Sequence, residues 1–370
     1  MKSFRKVQME MERAGGYGHY FVRAFYKGKA VKIQEVAEDL SVQYVLEGSL
    51  QKSNDQLRIN AQLIDAISGN HLWAEKYDRN LEDIFALQDE ITMKIIRALQ
   101  VTLSQGEQAN ITARGTENLE AYLKFLQGQQ QFLRNNREGD DAAQKIAKDI
   151  ISLEPTYPSG YYLLAQTHFR NVFTGASKNP RLSLKLAIEN AQKAVSLDES
   201  LAVAHALMGF IYTMTRQYEK GIAAADKALA LNPNSADVYL WTGYVFTWVG
   251  RCEDAINILN KSIRLSPIPR IDTLFGLCIA YRDCERYEEG IAPAKKAILR
   301  EPDSLFAHTC LAGCYASLGR NDEAKATVAE ILRIEPEYSL GIMKRSLPYK
   351  NPSDYERVIG AMRKAGIPEK

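Results

Sequence analysis

Two thiols four residues apart, Cys310 and Cys314, fall on one face of a segment with helical periodicity, a spacing that could seat a soft metal ion. His308 stands two residues earlier and on another face, so no tetrahedral set assembles locally. The remaining cysteines, Cys252, Cys278 and Cys284, also lie on apolar helical segments. An odd total of five without a signal peptide points to reduced thiols that serve as small core residues. Of the histidines, His168, His205 and His308 sit where the helical pattern is apolar, which suits a satisfied packing role better than catalysis. The carboxylates Glu47, Asp65, Glu75 and Asp78 fall opposite an apolar alternation and are expected on the solvent side of a sheet. The sequence has no Gly-rich phosphate loop and no G-x-S-x-G, H-E-x-x-H or C-x-x-C. The expectation is a non-enzyme with no catalytic, cofactor-binding or metal-binding residues, whose chemistry is recognition.

The elements that would position such a surface repeat along the chain. Prolines at Pro233, Pro267, Pro302 and Pro336 are spaced 34, 35 and 34 residues apart, each after an apolar helix ending such as KALALNP. Small and aromatic residues recur in step: Gly209, Tyr212 and Ala228; Gly243, Phe246 and Ala255; Tyr281 and Ala297; Tyr315 and Ala324. Two antiparallel helices with short turns use up about 34 residues, and close packing needs small residues where they touch. Proline ends the second helix because it cannot extend the hydrogen-bond ladder. This pattern resembles the tetratricopeptide repeat. Less regular units precede it: Tyr122, Phe125, Leu126 and Gly128 open one helix, and Ala143, Ile146, Ala147 and Ile150 line the next. The following unit carries extra residues, FTGASKNP from Phe173 to Pro180, read as a lengthened turn. After Pro336, Tyr355, Val358, Ile359 and Met362 mark a last helix, expected to cover the open end of the solenoid.

Upstream the period changes. VKIQEVAEDL reads as a helix, and three strand-like runs follow, Tyr44–Lys52, Leu57–Asp65 and His71–Arg79, joined by short turn-rich links. Leu57, Ile59, Ala61 and Leu63 alternate with polar residues, and strand is expected only within 43–80. A helix from about Leu81 to Leu103, with Ile84, Leu87, Ile91, Ile95, Ala98 and Leu99 as its stripe, should cover the sheet. The fold class expected is an α+β N-terminal domain followed by an all-α tetratricopeptide superhelical solenoid. The boundaries are a poorly ordered leader over 1–20, the α+β domain over 21–105, a linker over 106–116 and repeats with a C-terminal capping helix over 117–370.

The stretch from Tyr26 to Ile91, including YVLEGSLQKSNDQLRINAQLIDAISGNHLWAEKYDRNLEDIFALQDEI, is similar to the TolB-N-like (FlgO-like) domain. That domain precedes tetratricopeptide repeats in many bacterial class III adenylate or guanylate cyclases and in some membrane-bound transcriptional regulators. In that family a further strand and helix precede the segment, where this chain has an unrelated leader, so the sheet is expected either to lack an edge strand or to be capped by residues 1–20. The resemblance implies the carboxy-terminal sensory or scaffolding half of such a protein, without its catalytic or DNA-binding domain.

With 370 residues and a net charge of +2, no global field points to nucleic acid or a membrane surface. No apolar run approaches a spanning helix, and as written the chain is expected in the cytoplasm, or in the periplasm if it is a fragment of a membrane protein. In a tetratricopeptide superhelix the first helix of each pair lines the concave groove. The register gives Tyr162, Gln166, Phe169 and Arg170, then Phe210, Thr213 and Met214, then Asp237, Leu240, Tyr244 and Trp248, then Asp272, Phe275, Ile279 and Arg282. The candidate groove residues are therefore Tyr162, Phe169, Arg170, Phe210, Met214, Tyr244, Trp248, Phe275 and Arg282. An aromatic, lightly charged lining suits a protein or peptide with an apolar or amphipathic segment, a second copy of the chain included. The alternative is that these rings pack between repeats. If they are partner anchors, Trp248→Ala and Tyr244→Ala should leave stability nearly unchanged.

Overall fold

The computed structural model describes residues 7–10, 33–40, 44–66, 68–98, 115–266 and 269–370. The expected leader and linker lie outside the described residues, apart from 7–10 and from 115 and 116, as do the expected helical residues Leu99 to Leu103. The chain divides into two compact units, with the boundary in sequence between Lys124 and Phe125.

The first unit contains a four-stranded antiparallel sheet, β1 Val7–Glu10, β2 Tyr44–Ser53, β3 Gln56–Asp65 and β4 His71–Asn80, in that spatial order. The strand at β1 corrects the expectation that strand is confined to 43–80. Val7 pairs with Gly48 and Glu10 with Val45, so the leader supplies an edge strand. The β2–β3 link is a tight turn in which Asn54 takes φ 53°, a left-handed conformation that asparagine tolerates. Along β3, Leu57, Ala61 and Leu63 are buried while Arg58 and Asn60 are exposed, as the alternation requires. Ile64 is buried as well, on the opposite face, paired with Val45 in a β2–β3 register that runs unbroken; the register shift at Leu63/Ile64 concerns only the pairing with β4.

Helix α1, Ile33–Leu40, packs Ala37 against Val45 and Ala66. After a short 3-10 turn, α2, Ile84–Ala98, lays Ile91, Ile95 and Ala98 over Leu46 and Leu63. Two carboxylates depart from the solvent-facing expectation: Glu47 is buried, its Oε2 accepting from Gln62 Nε2 at 2.6 Å, and Glu75 lies opposite Ala61 on the apolar face, where Lys94 of α2 pairs with it. Asp78 does face outward, paired with Arg58 at 2.6 Å.

The second unit is a solenoid of antiparallel helix pairs. They are α3 Leu119–Phe132 with α4 Arg137–Leu153, α5 Pro158–Phe173 with α6 Pro180–Leu197, and α7 Ala202–Met214 with α8 Tyr218–Leu231. Next come α9 Ala236–Trp248 with α10 Cys252–Leu265, α11 Ile271–Asp283 with α12 Tyr287–Arg300, and α13 Leu305–Ser317 with α14 Asn321–Ile334. The repeated small residues do what the spacing requires. A Cβ on Gly209 would lie 2.9 Å from the Gly221 carbonyl, and one on Gly243 would lie 2.5 Å from Leu259. Ala225, Ala228, Ala255 and Ala297 have no exposed surface, so backbones approach closely in these pairs. Asparagine caps some helix starts, Asn136 Oδ1 accepting from Gly139 N at 2.8 Å and Asn179 Oδ1 from Leu182 N at 3.2 Å, whereas Ser304, Ser339 and Asn351 precede their helices without a side-chain cap bond. Two further helices, α15 Leu340–Ser346 and α16 Pro352–Ala365, end the chain. The expected markers Val358, Ile359 and Met362 are buried, and α16 packs mainly on α13.

Candidate functional site: the concave interior of the helical unit

The inner helices α5, α7, α9, α11 and α13 are apolar on nearly every face, since one side packs on the partner helix and the other faces the interior. In α9 every residue from Val238 to Trp248 is buried. Their aromatic rings meet around Phe210, whose centroid lies 4.8 Å from Phe169, 5.0 Å from Tyr244, 5.1 Å from Trp248 and 5.4 Å from Trp241. Phe173, at the end of α5, stacks on Phe306 of α13 at 5.0 Å, and Phe306 lies 5.3 Å from Phe275. A cavity of about 240 Å³ opens beside this cluster, walled by Phe169, Phe173, Phe210, Trp241, Tyr244, Phe275 and Phe306. Its polar lining includes Asn135, Asp140, Gln166, Arg170, Asp272, Glu301 and Ser304.

The charges here are arranged in ion pairs, one buried and one half-buried. Arg170 Nη1 donates to Asp140 Oδ1 at 3.1 Å and to the Phe132 carbonyl at 2.5 Å, with its guanidinium 3.4 Å above the Phe132 ring. Burial pushes the Asp140 carboxyl up to about 6, and the Arg170 charge only partly offsets this. Burial likewise lowers Arg170. Arg270 pairs with Asp237 at 3.2 Å and Asp272 at 2.9 Å. Burial pushes Asp272 up, but Arg270 and Arg170 outweigh it and hold the carboxyl below its ordinary range. Burial raises Glu301, whose Oε2 accepts from Asn135 Nδ2 at 2.8 Å. That bond joins the turn after α3 to the turn after α12, so the superhelix closes on itself across its interior.

Of the candidates read from the sequence, Phe169, Arg170, Phe210, Tyr244 and Phe275 line the cavity together. Trp248 belongs to the same ring cluster, behind the lining. Tyr162 is buried and accepts from Gln166 Nε2 at 2.7 Å. Met214 ends α7 outside the cavity lining. Arg282 stands apart, in a buried 2.9 Å pair with Asp283 and bonded to Tyr349. The expectation that Trp248 and Tyr244 stand free of the packing is corrected. Trp248 is 3% and Tyr244 2% exposed, each held by several rings, and the Tyr244 hydroxyl donates to the Asp272 carbonyl at 2.8 Å. Sequence reasoning missed Phe173 and Phe306, the rim residues that keep partial exposure. Phe306 was within reach of the register, since it follows Asp272 by 34 residues. Phe173 was assigned to a turn.

The thiol expectation is also corrected. Cys252 is bonded to Cys284 and Cys278 to Cys310, each pair 32 residues apart, which places both members in successive repeats. Cys314 is free and buried, its thiol pushed up to about 12 by burial, and its sulfur lies within 4.8 Å of those of Cys278 and Cys310. The histidines pack as expected: His205 Nε2 lies 3.0 Å from the Glu199 carbonyl and His308 Nε2 lies 2.9 Å from that of Pro302. No described helix is long and apolar enough to cross a membrane.

No protein-family model matches the chain. A protein of Rhizobium meliloti (strain 1021) named "Putative adenylate cyclase 3" is 36% identical over 198 residues, 53% of this chain and 33% of that protein. The chain thus spans about a third of the curated relative it matches. Among solved structures, the human IFIT1 dimer with m7Gppp-AAAA superposes with a TM-score of 0.51 at 15% identity, covering 76% of this chain and 65% of that one. The tetratricopeptide protein TTC0263 of Thermus thermophilus gives 0.42 at 19% identity, over 52% of this chain and 98% of its own. These likenesses concern fold. The chain is an α+β N-terminal unit followed by an all-α solenoid of tetratricopeptide-like helix pairs.

Proposed function

We propose that the chain is a non-enzymatic scaffold whose helical unit binds a peptide or protein segment in its concave interior. The observation that carries this reading is the cavity of about 240 Å³ with an aromatic wall and a partly exposed rim, Phe173 and Phe306. Desolvated aromatic pockets are where binding energy concentrates at protein interfaces. The packed rings behind the wall, Trp248 above all, give it rigidity, while the rim supplies contact. Peptides selected on the full chain from a display library should lose at least tenfold in affinity on Phe306→Ala. They should bind normally to Leu299→Asp, at an 83% exposed position on α12. Loss on the α12 variant with retention on the interior one would overturn the reading.

A second reading draws on the cyclase-named relative and on the TolB-N-like resemblance of the first unit: the chain works as the regulatory half of a class III adenylate or guanylate cyclase, in cis or in trans. In either reading the chain works without catalysis of its own, and the purified protein should not convert ATP or GTP to cyclic nucleotides. Turnover that survives stringent purification would refute this. The disulfides between repeats suit an oxidising compartment better than the cytoplasm.

A further inference from the structure

The link between α15 and α16 does not turn away into solvent. It runs back along the carboxy-terminal ends of the inner helices, where Arg282 and Trp248 were expected to meet a partner. Lys350 N donates to the Trp248 carbonyl at 2.9 Å, and Tyr218 Oη donates to the Tyr349 carbonyl at 3.1 Å. The Tyr349 hydroxyl accepts from Arg282 Nη2 at 2.6 Å and donates to Asp283 Oδ2 at 2.7 Å. Tyr349 is 4% exposed, and burial drives its phenol well above the ordinary range, so it stays a neutral donor.

Two features mark this as recognition of a tyrosine-bearing segment and not packing alone. Its main-chain bond goes to a carbonyl at the end of α9, a group the helix leaves without an internal partner and one indifferent to side-chain identity. The phenol uses both donor and acceptor capacity against a buried ion pair, which a phenylalanine cannot do. The flanking Lys350–Glu219 pair is exposed and contributes little.

We propose that Leu347–Asn351 is an intramolecular occupant of a tyrosine-reading subsite, formed by Arg282, Asp283 and the Trp248 carbonyl, and that a partner enters as an extended, tyrosine-bearing peptide that displaces it. This rests on the reading that the helical unit binds a peptide or protein segment. A tethered segment competes at an effective concentration of order millimolar, so the closed chain binds such a peptide weakly until the link lets go.

The test uses the full chain and acetyl-Leu-Pro-Tyr-Lys-Asn-amide, with a Phe-for-Tyr version as control. Tyr349→Ala should bind the tyrosine peptide at least tenfold more tightly than wild type, and bind the phenylalanine peptide at least tenfold more weakly than the tyrosine one. Equal affinity of the two chains, or no preference for tyrosine, overturns the proposal. Hydrogen exchange at the Lys350 amide of wild type gives a second measurement that needs no variant. Excess tyrosine peptide should accelerate it, and unchanged exchange under saturating peptide counts against displacement. If display-selected peptides bind at the Phe306 rim while the tyrosine peptide finds no site, the groove reading stands and this one falls.

Discussion

Asp140 sits 3.1 Å from a guanidinium, yet its carboxyl titrates near 6 because burial costs the charged form more than Arg170 returns. The folded value lies above the unfolded one of about 3.9, so between about pH 4 and 6 the native state binds more protons and stability falls as pH rises. Asp140→Asn removes that liability. The variant should therefore gain on wild type by about 2 kcal/mol as urea unfolding is moved from pH 4 to pH 7, two titration units at about 1.4 kcal/mol each being the ceiling. A variant that loses ground over that range would mean that Arg170 governs the carboxyl. Trp248→Ala should cost about 3 to 5 kcal/mol, as for other buried aromatics truncated to alanine. Tyr244→Phe, which removes only the bond to the Asp272 carbonyl, should cost about 1 kcal/mol. An unchanged unfolding midpoint for Trp248→Ala would restore the view that this ring waits for a partner.

Helices and strands were legible because each carries its own period. The 34-residue recurrence of glycine, alanine and proline fixed the helix pairs, and the alternation in Leu57–Leu63 fixed the buried face of β3. Two features without a local signal escaped. The edge strand Val7–Glu10 is too short to show a pattern, and it exists through its pairing with β2. The disulfides depend on which positions face each other in neighbouring repeats, a matter of solenoid geometry that a count of cysteines does not contain. Each closes a 32-residue separation, and loop-closure entropy assigns such a link about 3 to 4 kcal/mol. Thermal unfolding of the chain with and without a phosphine reductant should show a loss of that order, and thiol titration of the denatured, unreduced chain should find a single thiol, Cys314. Five titratable thiols would return the cysteines to the reduced state that their odd count implies.

At the scale of the helical unit, the groove positions were readable but their fate was not. Phe169, Arg170, Phe210, Tyr244 and Phe275 line one cavity. Small rotations between repeats add up over the solenoid, and they bring Asn135 to Glu301 and Phe173 to Phe306 across the interior. That closure converts several expected contact residues into packing residues, and the proposed peptide contact falls to the rim and the cavity. The central claim is that a partner segment enters there. It is tested most directly by placing p-benzoylphenylalanine at position 306 or at position 299 of the full chain and irradiating each with a display-selected peptide. The account predicts a crosslink from position 306 and none from position 299. A crosslink from 299 alone would place the binding surface on the outer helices and contradict it.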